Sequence, residues 1–220
     1  LQVNRMWDNP TVNSSAQRMG DVYMLNMYGG LARHPAITQD GETLVACHEM
    51  AHHLGGAPKI GFIMNNWAPN EGQSDYAANL TCMRLMFSDP ASLDFTRPQA
   101  VDPVAQKACS KVYKNPEEAA LCLRVASAGL SVTALFKALH NETTDAAFDT
   151  PDPKKVDTTY DSHPGTQCRL DTYFQGALCA KPVSEELSDA DPVPGTCTAA
   201  QGFKAGLRPR CWYKPTPAEQ

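Results

Sequence analysis

The chain has 220 residues, of which 42% are apolar, and its formal net charge at pH 7 is −5. This length fits one domain, or one domain with an appended tail, and the apolar content is sufficient for a buried core. The acidic balance gives no electrostatic reason to expect a nucleic-acid partner. No apolar run reaches the roughly 18 residues that span a bilayer, so we expect a soluble chain without a transmembrane segment.

The N-terminal third predicts a strand that leads into a helix. Residues 1–20 are polar and rich in turn-forming residues. Residues 21–28 read DVYMLNMY and are bounded by Gly29-Gly30, which is typical of a strand. We expect the edge strand of a small sheet, on which an extended peptide could lie through main-chain hydrogen bonds. An ordinary sheet strand fits the same pattern, and the two interpretations are compatible.

Residues 41–54 read GETLVACHEMAHHL and contain the pattern H-E-x-x-H at residues 48–52. On a helix, positions i and i+4 share one face, so the imidazoles of His48 and His52 can converge on one metal ion. Glu49 can then reach a metal-bound water as general base. We expect Asp40 to be the N-cap. A core helix with two hydrogen-bonded histidines is the alternative, but such histidines would be costly to bury without a metal or partner.

A second helix is predicted from Asn70, as N-cap with Gln73 completing a capping box, to about Phe87. Its first turn carries Glu71 and Asp75 in the pattern E-x-x-x-D. A catalytic zinc ion usually has three protein ligands and one open position. The intervening loop is long enough to bring Glu71 to the metal as the third ligand. Asp75 lies one turn later, where it can accept the free N–H of a ligand histidine.

His53 is adjacent to the motif but points about 100° away from His52, so we interpret it as packed beside the site and not as a ligand. The longer motif H-E-x-x-H-x-x-G-x-x-H is excluded because residue 58 is a proline. Further helices are predicted from Asp102 to about Tyr113 and from Asn115 to about His140, the latter with a possible break at Gly129.

The C-terminal half is predicted to contain a long loop, a polar patch and a tail. Residues 141–162 have little apolar content and read as the loop. Residues 162–169 read SHPGTQCR, in which His163 and Arg169 are suitable stabilisers of a negative charge on a carbonyl oxygen. In isolation, the same residues also fit a turn with a stray histidine and arginine. From residue 181 the chain is rich in proline, and we expect this tail, residues 181–220, to pack on the main domain, residues 1–180.

Eight cysteines form an even count, and the predicted metal site uses none of them. We therefore expect disulfides and a secreted or periplasmic location. Because the chain begins at Leu1 and shows no signal-peptide pattern, we expect a processed or trimmed form. Sequence does not determine connectivity. Local pairing would give Cys109–Cys122, Cys168–Cys179 and Cys197–Cys211, and Cys47–Cys82 would then connect the metal helix to the next one.

Together, the glycine-bounded strand, the H-E-x-x-H helix, the E-x-x-x-D helix and the late S-H-P-x-x-x-x-R resemble the M48 peptidases of the gluzincin clan, over about residues 11–88 and 160–172. The resemblance implies an α+β, mainly helical domain with a small sheet. It also implies one Zn²⁺ per chain, with His48, His52 and Glu71 as ligands and Glu49 as general base. Asp75 would orient a ligand histidine, His163 would stabilise the oxyanion, and Arg169 would support the Glu71 region or the transition state.

Two departures from that family are present. The predicted absence of membrane spans makes membrane-protein substrates doubtful, and cysteines next to the motifs fit an extracytoplasmic setting. We expect a zinc endopeptidase that acts on a protein or peptide substrate. The alternatives are a zinc-binding protein that recognises a partner without turnover, a hydrolase of a non-protein amide such as a cell-wall crosslink, and a disulfide-rich binding module. Nothing in the sequence identifies the substrate's side chains or the oligomeric state.

Overall fold

The fold is α+β and mainly helical, as the sequence predicts. It is described from a computed structural model that covers residues 1–61, 67–89 and 101–220. The described strands are β1 (Gln2–Met6), β2 (Ser14–Met19) and β3 (Val22–Tyr28). The described helices are α1 (Gly29–Ala32), α2 (Gln39–Leu54), α3 (Glu71–Ala77), α4 (Met83–Met86), α5 (Pro103–Val112), α6 (Pro116–His140) and α7 (Thr166–Leu178). A π-helical turn, Ala78–Cys82, joins α3 to α4, and Pro217–Glu219 form a short 3₁₀ helix.

The sheet has three strands in the order β1-β3-β2. β3 pairs in parallel with β1 and antiparallel with β2. The predicted strand at residues 21–28 is therefore present, but the expectation that it lies at the edge is wrong, because β3 is central. β2 is at the edge instead. Residues 1–20, expected to be turn-rich, contribute two strands, whose largely polar residues do not show an alternating apolar pattern.

α2 begins nine residues before His48 and ends at Leu54, with Gly55 as its C-cap. Its N-cap is Thr38, whose side chain accepts a hydrogen bond from the backbone N–H of Gly41, so the prediction of Asp40 as N-cap is wrong. Asp40 lies in the first turn of the helix, where its carboxylate accepts two hydrogen bonds from Arg124 of α6. This ion pair joins the start of α2 to α6, the longest described helix.

Asn70 caps α3 as predicted, since its side chain accepts a hydrogen bond from the backbone N–H of Gln73. The capping box is not completed. Instead, the Gln73 side chain donates to the carbonyl of Gly55 and accepts from Arg208 of the tail. It therefore links the C-terminal end of α2, the first turn of α3 and the tail. The predicted loop before this helix includes residues 62–66, which lie outside the described residues.

α6 is continuous through Gly129, so the possible break predicted there is absent. A side chain at Gly129 would approach Tyr173 and Leu170 of α7 at 3.2–3.3 Å, so the glycine permits close packing of the two helices. By length and composition this helix could cross a membrane, which differs from our expectation that no segment qualifies. Just over half of its most apolar window is buried against the rest of the fold, where it packs on α2, α5 and α7.

All eight cysteines are paired. The predicted pairs Cys47–Cys82 and Cys109–Cys122 are confirmed. The other two predicted pairs are wrong, because the bonds are Cys168–Cys211 and Cys179–Cys197. Each of these bonds joins α7 or its end to the tail, so the tail folds back over the domain and does not form local loops. Four disulfides favour an oxidising, extracellular-type environment.

The tail is packed on the domain. Trp212 is fully buried, and its ring lies against Gly72 in the first turn of α3. Arg208 and Glu219 form a buried ion pair, and the hydroxyl of Tyr213 donates to the same carboxylate. The tail therefore supports α3, the helix that carries Glu71.

Candidate metal centre and cleft

Three predicted ligands meet at one point between α2 and α3. His48 and His52 lie one turn apart on α2, and Glu71 is the first residue of α3. The Glu71 carboxylate is 3.2 Å from Nε2 of His48 and 3.6 Å from Nε2 of His52. One ligand atom from each residue lies within 4.8 Å of the others, so this group can hold a metal ion.

The surroundings of these atoms fit a cation. Nδ1 of His52 is 3.0 Å from the carbonyl oxygen of Pro69, which fixes the ring so that Nε2 faces Nε2 of His48 at 3.1 Å. Oε2 of Glu71 is buried without an aligned hydrogen bond. Imidazole nitrogens and a carboxylate oxygen that converge in this way are the donor set of catalytic zinc sites. The hydroxyl of Ser74, for which no sequence motif indicates a role, also lies 3.0 Å from Nδ1 of His52.

The electrostatics of the three ligands are strongly coupled. Burial opposes a charge on His48, but the carboxylates of Asp75 and Glu71 outweigh it and raise the pKa of His48 to about 10. Burial and the nearby His48 lower the pKa of His52 to about 4. Burial acts to raise the pKa of Glu71, yet the three neighbouring histidines lower it to about 2. The site therefore attracts one positive charge, and a proton or a metal ion can supply it.

Asp75 lies behind His48, at a position that suits the role predicted for it. Its Oδ1 is 2.7 Å from Nδ1 of His48, although the ring N–H is not aligned with that oxygen. The carboxylate is fully buried and accepts two hydrogen bonds from Arg169 of α7, at 2.7 and 2.8 Å. Arg169 therefore contacts the carboxylate behind the ligand, and within the described residues its ion pair is with Asp75 and not with Glu71.

Glu49 lies at the floor of a cleft of about 600 Å³ that also exposes His48, His52 and Glu71. One wall of the cleft is β2, an edge strand, and the backbone of Ala16 in this strand acts on the Glu49 carboxylate to lower its pKa. Burial raises the pKa of Glu49 above the usual value of a glutamate. A carboxylate with a raised pKa, next to the three ligands, is well suited to take up a proton and return it.

His163 is brought to the site by the long loop before α7. The backbone N–H of Glu71 donates to the carbonyl of Asp161, and the side chain of Asn70 donates to the Asp161 carboxylate. These bonds place Nε2 of His163 3.1 Å from Oε2 of Glu71, in the lining of the cleft. The side chain of His163 is 65% exposed, so it remains accessible to a molecule in the cleft.

His53 lies outside the ligand group, as predicted. Its ring stacks between Tyr23 of β3 and Trp67, with ring centres 4.9 and 5.1 Å apart. Arg18 of β2 occupies the same space beside it and lines the cleft. Sequence reasoning missed Arg18, because a single arginine on a polar strand has no motif around it. A larger cavity, of about 750 Å³ between α7 and the tail, contains none of the predicted site residues.

Comparisons with family models, with curated proteins and with solved structures found no match to this chain. The assignment of a function therefore depends on the chemistry of the cleft.

Proposed function

We propose that this protein is a zinc-dependent endopeptidase of the gluzincin type, similar to the M48 peptidases. The observation that carries the proposal is the convergence of His48, His52 and Glu71 beside Glu49 in one open cleft. Zn²⁺ held by these three ligands would supply a Lewis acid that acidifies water and polarises the scissile carbonyl. A protein that only bound zinc would have no need of a buried glutamate at this point.

The residues around the ligands support a proton-transfer role for Glu49. Its carboxylate would take a proton from the attacking water and pass it to the leaving amine. His163, exposed in the lining of the same cleft, would donate a hydrogen bond to the oxygen on which negative charge develops. Asp75 and Arg169 would hold His48 in the orientation that the ligand set requires.

The sheet gives the substrate a place to bind. β2 is an edge strand among the described strands, and its residues 14–18 line the cleft. An extended peptide could add to this edge through main-chain hydrogen bonds, which would carry its carbonyl past Glu49. A small enclosed pocket of about 100 Å³, lined by apolar residues that include Val45 and Leu135, adjoins Glu49 and could receive one substrate side chain.

The test combines metal content with the cleavage of a peptide library, with and without a chelator. We expect one zinc ion per chain and cleavage that the chelator abolishes. Glu49→Gln should retain zinc and lose cleavage, whereas Glu42→Gln, on the same helix but outside the cleft lining, should retain both. Retained turnover in Glu49→Gln would refute the mechanism. A chain that binds zinc and cleaves a non-protein amide, but no peptide, would support a different hydrolase.

A further inference from the structure

One end of the cleft carries a positive charge in a rigid setting. The guanidinium carbon of Arg18 lies 4.4 Å from the ring centre of Tyr23 and 4.7 Å from that of Trp67. The His53 ring is nearly parallel to the same two rings, at 4° and 16°. Arg18 and His53 therefore share a slot between two aromatic rings, and we call these four residues the Arg18 slot. Stacking on both faces limits the rotation of the guanidinium.

The charge of Arg18 has no carboxylate partner in residues 1–61, 67–89 and 101–220. Its Nη2 donates to the carbonyl of His53 at 3.0 Å, and its Nε donates to Nδ1 of His53 at 3.5 Å. A guanidinium has five N–H donors, so donors remain for a ligand. The buried arginines Arg124, Arg169 and Arg208 each bind a carboxylate, whereas the half-buried Arg18 donates to His53 instead.

The register of β2 relates this charge to the cleavage point. Ala16 and Glu49 both line the cleft, and Arg18, which lines it too, is two residues further along the same strand as Ala16. Residues i and i+2 of a strand point to the same face, roughly 7 Å apart. A peptide that pairs antiparallel with β2 would place opposite Arg18 a side chain two residues N-terminal to the one opposite Ala16.

We propose that Arg18 determines substrate specificity by binding the carboxylate of a glutamate or aspartate on the N-terminal side of the scissile bond. This inference rests on the proposed peptidase function, since it assigns the substrate class of the same cleft. Arg18 can present a fork of two N–H donors to a carboxylate, a geometry that a lysine cannot reproduce. The slot holds that fork in place before the substrate arrives, so little side-chain freedom is lost on binding.

The experiment uses a peptide series in which one glutamate moves through the positions around the scissile bond, each paired with the glutamine peptide. Cleavage is measured with the wild-type protein, and binding is measured by fluorescence anisotropy with zinc-loaded Glu49→Gln. We expect a preference of about tenfold for glutamate over glutamine at one position N-terminal to the scissile bond, as a charge-assisted hydrogen bond provides.

Three substitutions of Arg18 test the cause of the preference. Arg18→Gln should remove the preference for glutamate. Arg18→Lys should keep only a small part of that preference, because lysine lacks the fork of two N–H donors. Arg18→Glu should favour lysine at the same position. Arg33→Gln is the matched control, since Arg33 also stacks on a tryptophan, Trp7, but does not line the cleft. Zinc content and melting temperature, measured for every variant, separate a loss of specificity from a loss of folding.

The outcomes distinguish the two proposals. If no peptide in any series is cleaved, the peptidase function fails, while the anisotropy measurement still tests the binding of glutamate. If peptides are cleaved without a glutamate preference, or if the preference survives in a folded Arg18→Gln variant, the role of Arg18 is overturned. A preference for glutamate on the C-terminal side of the scissile bond would also overturn it, because the proposed register would be wrong.

Discussion

Replacement of Asp75 by asparagine tests the support of the metal centre. Asp75 is fully buried between two cationic groups, with Oδ1 2.7 Å from Nδ1 of His48 and two hydrogen bonds from Arg169. Asparagine keeps the size of the side chain but removes its charge. The ring of His48 would then lose the anion that makes its other nitrogen a better donor to a metal ion, and Arg169 would lose its ion-pair partner.

The two consequences have different magnitudes. Loss of a group that orients a metal ligand weakens metal binding by roughly 10–100-fold, which corresponds to about 1.4–2.7 kcal/mol. Breaking a buried ion pair lowers the free energy of unfolding by about 3–5 kcal/mol. We expect the lower end of that range, because the asparagine oxygen can still accept one hydrogen bond from Arg169. The zinc affinity is a property of the folded protein alone, so it can be measured separately from the free energy of unfolding.

The assay is zinc competition against a chelator of known affinity at pH 7, together with urea unfolding of the metal-free protein. Asp40→Asn is the control, because Asp40 also accepts two hydrogen bonds from an arginine but lies at the start of α2, away from the ligands. The control should lose stability and keep its zinc affinity. An unchanged zinc affinity in folded Asp75→Asn would refute the role assigned to this carboxylate.

Two further predictions concern pH and packing. In the metal-free protein, the raised pKa of His48 contributes stability that is complete below about pH 6.5 and is lost as the pH rises to about 10, so the free energy of unfolding should fall across that range. Stabilisation by zinc should grow over the same range because the ligands must be deprotonated, and a flat metal-free profile would contradict the argument. Gly72→Ala should lower the free energy of unfolding by about 1–3 kcal/mol and weaken zinc binding, because the added methyl group would overlap the ring of Trp212 beside Glu71. The control is Ala126→Gly in the core helix α6, which should lower the free energy of unfolding and leave the zinc affinity unchanged. If Gly72→Ala also left the zinc affinity unchanged, the tail would not support Glu71 as a ligand.

The sequence predicted the ligand group more accurately than the surrounding fold. A spacing of four residues on a helix places His48 and His52 on one face by geometry alone. The prediction for Glu71 required only that the loop after α2 reverse the chain, so that the start of the next helix faces the two histidines. In contrast, β2 was missed because an edge strand that lines a polar cleft is itself polar, and therefore lacks the alternation that identifies a half-buried strand.

The connectivity of the last four cysteines could not be inferred for a related reason. Local pairing is a reasonable assumption for a tail that forms its own loops. Here Cys168–Cys211 and Cys179–Cys197 join the tail to α7, because Trp212 and Tyr213 are buried against the domain. Such long-range packing has no local signal in the sequence. The same limit applies to Arg18, whose significance depends on rings from β3 and from the segment after α2.

The bond between Cys47 and Cys82 joins the residue before His48 to the turn that follows α3. The two helices that carry the ligands are therefore connected covalently, independently of any ion. In domains whose fold depends on a metal, removal of the ion unfolds the chain. In this protein, the crosslink would hold the two helices together before any ion is bound, so we expect the oxidised chain to fold without a metal and to acquire an ion afterwards.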